Sequence, residues 1–105
     1  MQEMQRFELR ASIVKAMASA SRLAIVDELS RKSRTVGELA GLLGLDMSTV
    51  SRHLAILRNA GIVSSVRRGT SITYSLRAVC IMQFFDCVER VLSGDPATGD
   101  DQCCL

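Results

Sequence analysis

The chain has 105 residues, which is about the length of one small domain. Hydrophobic residues make up 48% of it and aromatic residues 4%, a composition typical of helices that pack through aliphatic side chains. No run approaches the roughly 18 apolar residues of a membrane-spanning helix, and the polar N-terminus "MQEMQRFELR" predicts no signal peptide. We therefore expect a cytoplasmic protein without a membrane partner, in which four cysteines indicate metal or redox chemistry rather than a disulfide framework.

The net charge of +2 conceals an uneven distribution of charge along the chain. Residues 31–77 carry eight basic side chains against two acidic ones, a formal charge of +6, whereas residues 95–105 carry three acidic side chains and no basic one. A localised basic surface indicates a polyanionic partner. Arginines that are simply solvated would give the same count, so charge alone leaves both interpretations open.

Two amphipathic helices are predicted at the start of the chain. Apolar residues recur at helical spacing over residues 4–17 and again over roughly 20–32. Ser19 and Ser21 are both candidate N-caps for the second helix, because a serine side chain can accept a hydrogen bond from the first turn.

Two shorter helices follow. Thr35 and Glu38 have the spacing of a capping box at the start of the third helix, and Gly44 fits its left-handed C-terminal position. Asp46 is the candidate cap of a fourth helix, roughly 47–60, which stops at Gly61 and presents a regularly spaced apolar face made of Val50, Leu54 and Leu57.

After Gly61 the apolar pattern changes to the alternation of a β-hairpin. Alternating Ile72, Tyr74 and Leu76 predict a half-buried strand, and residues 62–66 are its expected partner. The predicted turn is "RRGT", which contains Arg67 and Arg68.

A last helix is predicted over residues 77–93, and it is apolar around about two-thirds of its surface. Such a helix needs two neighbours, of which one is the domain core and the other is expected to be a second subunit. Pro96 marks the end of the globular part. We thus expect one domain, residues 1–94, and a flexible acidic tail, residues 95–105, that carries Cys103 and Cys104.

The order of these elements predicts a mainly α fold with a β-hairpin wing. Two short helices joined by "GLLGLDMS" and followed by a basic hairpin match a winged helix-turn-helix, with the hairpin between the fourth and fifth helices. In such a motif the second of the two helices enters the major groove of DNA with its first residues at the base edges. Those residues here are Met47, Ser48, Thr49, Ser51, Arg52 and His53.

Side-chain chemistry divides the predicted DNA contacts. Arg52 suits a guanine edge or a phosphate, Arg58 lies too far along the helix for bases, and Arg67 and Arg68 at the hairpin tip suit phosphates or the minor groove. Each has a plainer interpretation. Ser48 and Thr49 are also ordinary helix-starting residues, His53 is also typical of a core edge, and an Arg-Arg-Gly turn is often just solvated.

At these residues the sequence resembles the ArsR/SmtB family of bacterial transcriptional repressors, most specifically through "STVSRHLAILRNAGIV", residues 48–63. The resemblance covers about residues 13–92. It implies a homodimer that binds a palindromic operator in double-stranded DNA and releases it on metal binding or thiol oxidation. It also assigns residues 67–70, including Thr70, to the wing, and residues 4–17 and 77–93 to the dimer interface.

The sequence departs from the family at its usual sensor positions. The cysteine pair of many arsenic and cadmium sensors falls on Thr35 and Gly37. The last helix has no histidine for a zinc or nickel site, and Cys80 lies close to where one would fall. The second helix lacks the cysteine that some members link to the last helix.

Four cysteines remain for a thiol-based sensor. Cys80 and Cys87 are seven residues apart, on one face of the predicted helix but too far apart for a disulfide within it. Both also fit as small apolar residues in a dimer seam. Cys103 and Cys104, with one thiol of the last helix, would form the soft three-sulfur set that suits arsenite or antimonite.

The prediction is therefore a DNA-binding repressor released when Cys80, Cys87, Cys103 and Cys104 bind arsenite, antimonite or a soft metal ion, with no cofactor needed for folding. A thiol-redox or reactive-sulfur sensor, and a winged-helix protein without an inducer, are the alternatives. A winged-helix module for protein contacts also stays open. An enzyme is not expected, because the chain has one histidine, no nucleophile–base pair at recognisable spacing and no phosphate-binding glycine loop.

Overall fold

A computed structural model describes residues 3–94, and it confirms a mainly helical chain with a hairpin before its last helix. Cys103, Cys104 and the predicted tail lie outside the described residues. No helix in the described part is long and apolar enough to cross a membrane. The elements in chain order are α1 (Glu3–Met17), α2 (Ala20–Arg31), β1 (Arg34–Thr35), α3 (Val36–Leu43), α4 (Met47–Asn59), β2 (Val63–Arg68), β3 (Ser71–Leu76) and α5 (Ile81–Ser93).

Local signals place the ends of the first helices as predicted. Ser19, and not Ser21, is the N-cap of α2, since its Oγ accepts from the backbone N–H of Arg22 at 3.3 Å. The capping box of α3 is complete: Thr35 Oγ1 accepts from the N–H of Glu38 at 3.2 Å, and the Glu38 carboxylate accepts from the N–H of Thr35 at 2.9 Å. Gly44 ends α3 with a left-handed φ of 67°.

The sheet has one strand more than the predicted hairpin. Its order is β1-β3-β2, and the two-residue β1 pairs antiparallel with β3, with Arg34 opposite Tyr74. A two-residue strand is too short to show alternation, so the sequence pattern did not predict it. The turn is also shorter than predicted, because Arg67 and Arg68 belong to β2 and only Gly69-Thr70 connects the strands.

The core is built from α2, α3, α4 and the hairpin, with the last two residues of α1. In α4 the predicted apolar residues Val50, Leu54 and Leu57 are all fully buried. They fix the helix to the core along one face, so its opposite face is exposed, including Ser51 and Arg52. The other large, fully buried side chains are Ile25, Val26, Leu39, Ile62 and Val63.

The two terminal helices are only partly covered by the rest of the chain. In α1 only Ala16 and Met17 are buried, and α5 has no fully buried residue. The last helix begins at Ile81 rather than at residue 77, because the N–H groups of Arg77 and Ala78 both bond to the Ile62 carbonyl and hold that segment against β2. Exposed large apolar side chains on the two helices are Met4, Phe7, Leu9, Ile13, Val14, Phe84, Val88, Val91 and Leu92.

Candidate nucleic-acid interface

At the start of α4, the hydroxyls of Ser48 and Thr49 both form hydrogen bonds with the carboxylate of Asp46. Asp46 is the N-cap residue of α4, as predicted, although its side chain does not cap the first turn by a hydrogen bond. It accepts instead from Ser48 Oγ at 2.6 Å and from Thr49 Oγ1 at 2.5 Å. These two bonds hold the pKa of the Asp46 carboxyl below its ordinary value. Both hydroxyl protons are thereby used, so the oxygens of Ser48 and Thr49 face an external partner as acceptors.

His53, one helical turn further on, is half-buried and held by α2. Its Nδ1 lies 3.0 Å from Nη1 of Arg22, and Nε of Arg22 donates to the carbonyl of Ala16 at 2.6 Å. Burial, followed by the charges of Arg22 and Arg52, lowers the pKa of His53 below its ordinary value. The structure thus supports the core-edge interpretation of His53 for one ring nitrogen.

The six arginines between residues 31 and 68 fall into two groups. Arg31 is paired with Asp27 at 2.8 Å and with Glu28 at 3.0 Å, and Arg34 lies 3.8 Å from Glu28 and 3.9 Å from Glu38. Within residues 3–94, no ion pair involves the exposed arginines of α4 and the hairpin, which are Arg52, Arg58, Arg67 and Arg68. Their charge is therefore not neutralised by a described carboxylate, as a polyanion-binding surface requires.

The hairpin presents its basic residues from paired strands. Arg67 stands opposite Ile72 and Arg68 opposite Ser71, while Thr70 is exposed in the turn. Gly69 has a φ of 62°, the left-handed conformation that a two-residue hairpin turn favours. Arg58 also touches the hairpin, since its Nη1 donates to Ser65 Oγ at 3.4 Å. One weak bond therefore joins α4 to the strand that carries Arg67 and Arg68.

The predicted cysteine site is not assembled by the described residues. Cys80 is the N-cap residue of α5 with a free, exposed thiol, so the prediction that it lies inside the helix is wrong. Cys87 is half-buried within α5, and its sulfur is disulfide-bonded. Residues 3–94 contain no group of three or more potential metal ligands. These residues alone do not fit a three-sulfur site, and Cys103 and Cys104 lie outside them.

Two residues of this surface were not predicted from the sequence. Asp46 was interpreted as a helix cap, although an aspartate two and three residues before a serine and a threonine is also suited to bond their hydroxyls. The sequence around Arg22 does not indicate its contact with His53, because the two residues are 31 positions apart.

Comparison with known proteins matches residues 19–65 to the model of the arsR family of bacterial regulatory proteins. An uncharacterized HTH-type transcriptional regulator of Mycobacterium tuberculosis is 34% identical over 88 residues, 83% of this chain and 77% of that protein. The crystal structure of NolR from Sinorhizobium fredii is similar with a TM-score of 0.78 at 32% identity, over 87% of this chain and 96% of that one.

A third similar protein, from Mycobacterium bovis, is a homodimer. The solution structure of Mb0332 from Mycobacterium bovis is that of a homodimeric winged helix-turn-helix DNA-binding domain of a possible ArsR-family regulator. It is similar with a TM-score of 0.78 at 27% identity, over 91% of this chain and 89% of that one. Proteins of this kind regulate transcription and are not enzymes. The matched segment contains α2 through α4 and the start of β2, and the chain belongs to the arsR family of winged helix-turn-helix transcriptional regulators.

Proposed function

We propose that the chain is a homodimeric repressor that binds a palindromic operator in double-stranded DNA and so works in the cytoplasm. The observation that carries this proposal is the set of exposed arginines on α4 and the hairpin that pair with no described carboxylate. The core fixes α4 by its apolar face, which leaves its polar face for the major groove. A dimer bound over a promoter would block transcription by occupying it.

The proposed contacts divide between bases and backbone. Arg52, in the first half of α4, is assigned to a base edge, where a bidentate guanidinium pairs well with guanine. Arg58, Arg67 and Arg68 are assigned to phosphates, which position the protein without reading the sequence. Ser51 and Thr70 are also exposed and are assigned to the same surface. Ser48 and Thr49 are assigned as acceptors, because their hydroxyls already donate hydrogen bonds to Asp46.

The proposed dimer is supported by the uncovered faces of α1 and α5. Val91 and Leu92 near the end of α5 are 80% and 73% exposed, although both are large apolar side chains. A groove of about 510 Å³ runs between α1, α2 and α5 and is lined mainly by apolar groups. Exposed apolar surface of this extent marks an interaction site, and a second copy of the same helices would cover it.

The base contact is tested by fluorescence anisotropy with the promoter DNA of the protein's own operon and with random DNA of equal length. Arg52→Ala should weaken operator binding by about 1–3 kcal/mol and random-DNA binding much less, if Arg52 reads a base. Arg31→Ala is the matched control, because Arg31 is already paired with Asp27 and Glu28. Equal losses on both DNAs would remove the base-reading role, and no binding of the wild type would refute the proposed function.

For the signal, we propose a thiophilic inducer bound by cysteines that include Cys103 and Cys104. An inducer that binds better to the DNA-free conformation lowers operator affinity by the same coupling free energy. The disulfide at Cys87 favours a second candidate, in which thiol oxidation releases the DNA.

The signal is tested by adding candidate inducers to the operator complex and measuring DNA release. The inducers are arsenite, antimonite, zinc, cadmium and polysulfide. Arsenite should release the wild type but not a Cys103→Ser/Cys104→Ser variant, which should bind the operator as tightly as the wild type when arsenite is left out. Release by oxidants alone would contradict the metal proposal.

A further inference from the structure

The hydrogen bond between Arg22 and His53 constrains the imidazole chemically. Arg22 Nη1 lies 3.0 Å from His53 Nδ1, and a guanidinium carries donors but no acceptor and stays charged in proteins. His53 Nδ1 must therefore accept this bond with its lone pair. A neutral imidazole has one protonated and one unprotonated nitrogen, so the proton lies on Nε2.

The surroundings keep this ring neutral. Burial of the ring, with the positive charges of Arg22 on α2 and Arg52 on α4, holds the pKa of His53 below its ordinary value. Protonation of Nδ1 would also break the hydrogen bond with Arg22, because two N–H donors would then face each other. At neutral pH the ring therefore has one donor, Nε2–H, and no hydrogen bond in residues 3–94 involves it.

Arg22 is itself held in place. Its Nε donates to the Ala16 carbonyl at 2.6 Å, and its backbone N–H donates to Ser19 Oγ at 3.3 Å. Ala16 is buried in the last turn of α1. One guanidinium therefore joins the end of α1, the start of α2 and the exposed helix α4, and the position of the imidazole follows from all three.

We propose that Arg22 is a positioning residue of the DNA interface, which fixes His53 as its Nε2–H tautomer so that Nε2 donates to a phosphate oxygen. This inference rests on the proposed binding of DNA by α4. A phosphate is the expected acceptor because the His53 ring is half-buried, unlike the exposed Arg52 that is assigned to a base, and because phosphate oxygens are the commonest acceptors on DNA.

The tautomer is tested first, in the DNA-free protein, by two-bond ¹H–¹⁵N NMR of the imidazole. The wild type should show a protonated Nε2 and an unprotonated Nδ1 across neutral pH. Arg22→Ala should give a mixture of tautomers with an unchanged helical circular dichroism spectrum, and Arg22→Lys should recover part of the Nε2–H population. A wild-type ring protonated on Nδ1 would overturn the inference.

The donor is tested next with two amide substitutions of different reach. His53→Asn places an amide near the position of Nδ1, where it can accept from Arg22, but leaves nothing at Nε2. His53→Gln carries its NH₂ donor to about the position of Nε2. A dimer loses two hydrogen bonds to charged acceptors, so His53→Asn should weaken binding on the order of a hundredfold on operator and random DNA alike, while His53→Gln stays within about threefold of the wild type.

The outcomes separate this inference from the proposed function. If the wild type binds the operator and His53→Asn binds as tightly, the Nε2 donor is unnecessary and only the present inference fails. If both substitutions lose affinity equally, the reach of the donor does not matter and the inference again fails. If the wild type binds no DNA, the proposed function fails with it.

Discussion

The salt dependence of DNA binding follows from a count of the arginines assigned to phosphates. Arg58, Arg67 and Arg68 are exposed and have no described acidic partner, so a dimer brings six such groups to the DNA. Displaced counterions then give a slope of log affinity against log salt concentration of about −5. Raising the salt from about 50 to 200 mM should weaken operator binding about a thousandfold.

Removing the two hairpin arginines should flatten this dependence. The Arg67→Gln/Arg68→Gln variant keeps two of the six phosphate contacts in the dimer, so its slope falls to about −2 and the same salt change costs about tenfold. The assay is anisotropy with labelled operator DNA at five or more salt concentrations. Arg31→Gln is the control, because its charge is already paired with Asp27 and Glu28. A hairpin variant with the wild-type slope, or a control that flattens it equally, would refute the assignment.

Three further predictions concern stability, measured by urea unfolding at fixed protein concentration. Leu54 is fully buried, so Leu54→Ala should lower the free energy of unfolding by about 2–5 kcal/mol. Ile56 is 37% exposed, so Ile56→Ala should lower it clearly less. Equal losses would contradict the assignment of the core face of α4. Thr35→Ala removes the α3 cap and should cost about 1 kcal/mol, against no change for Thr70→Ala. Unfolding free energy should fall as pH drops below 6.5, because the unfolded chain then binds a proton that folded His53, with its lower pKa, still rejects. His53 is the one histidine of the chain, so in His53→Gln the unfolding free energy should change much less over this pH range. If the variant keeps the wild-type pH dependence, another group is responsible for it.

Features that depend on near neighbours in the chain were predictable from the sequence. The capping box of Thr35 and Glu38 and the left-handed Gly44 need three or four residues of context, and both are present as expected. The apolar spacing of Val50, Leu54 and Leu57 likewise determines which face of α4 is buried. Since that face fixes the exposed one, the sequence already indicated which side chains of α4 face outward.

Features that depend on distant parts of the chain were not predictable in this way. β1 exists because Arg34 and its neighbour pair with β3, about forty residues away, and two residues carry no pattern of their own. The late start of α5 has a similar cause, since Arg77 is held by the carbonyl of Ile62. The contact of Arg22 with His53 is the functional example, because neither residue's local sequence indicates the other.

The uncovered terminal helices affect how every binding experiment on this protein is interpreted. α5 has no fully buried residue and α1 buries only its last turn, so a single chain leaves much of its apolar surface in water. In the proposed dimer the partner would cover this surface, and the stability of such an assembly depends on protein concentration. Arg22 attaches the end of α1 to His53, so the proposed dimer helix and the proposed recognition helix share a contact. An affinity measured below the dimer dissociation constant would therefore report assembly as well as DNA contacts. The substitutions of Arg52, Arg67 and His53 must be compared at concentrations where sedimentation shows the same oligomeric state as the wild type.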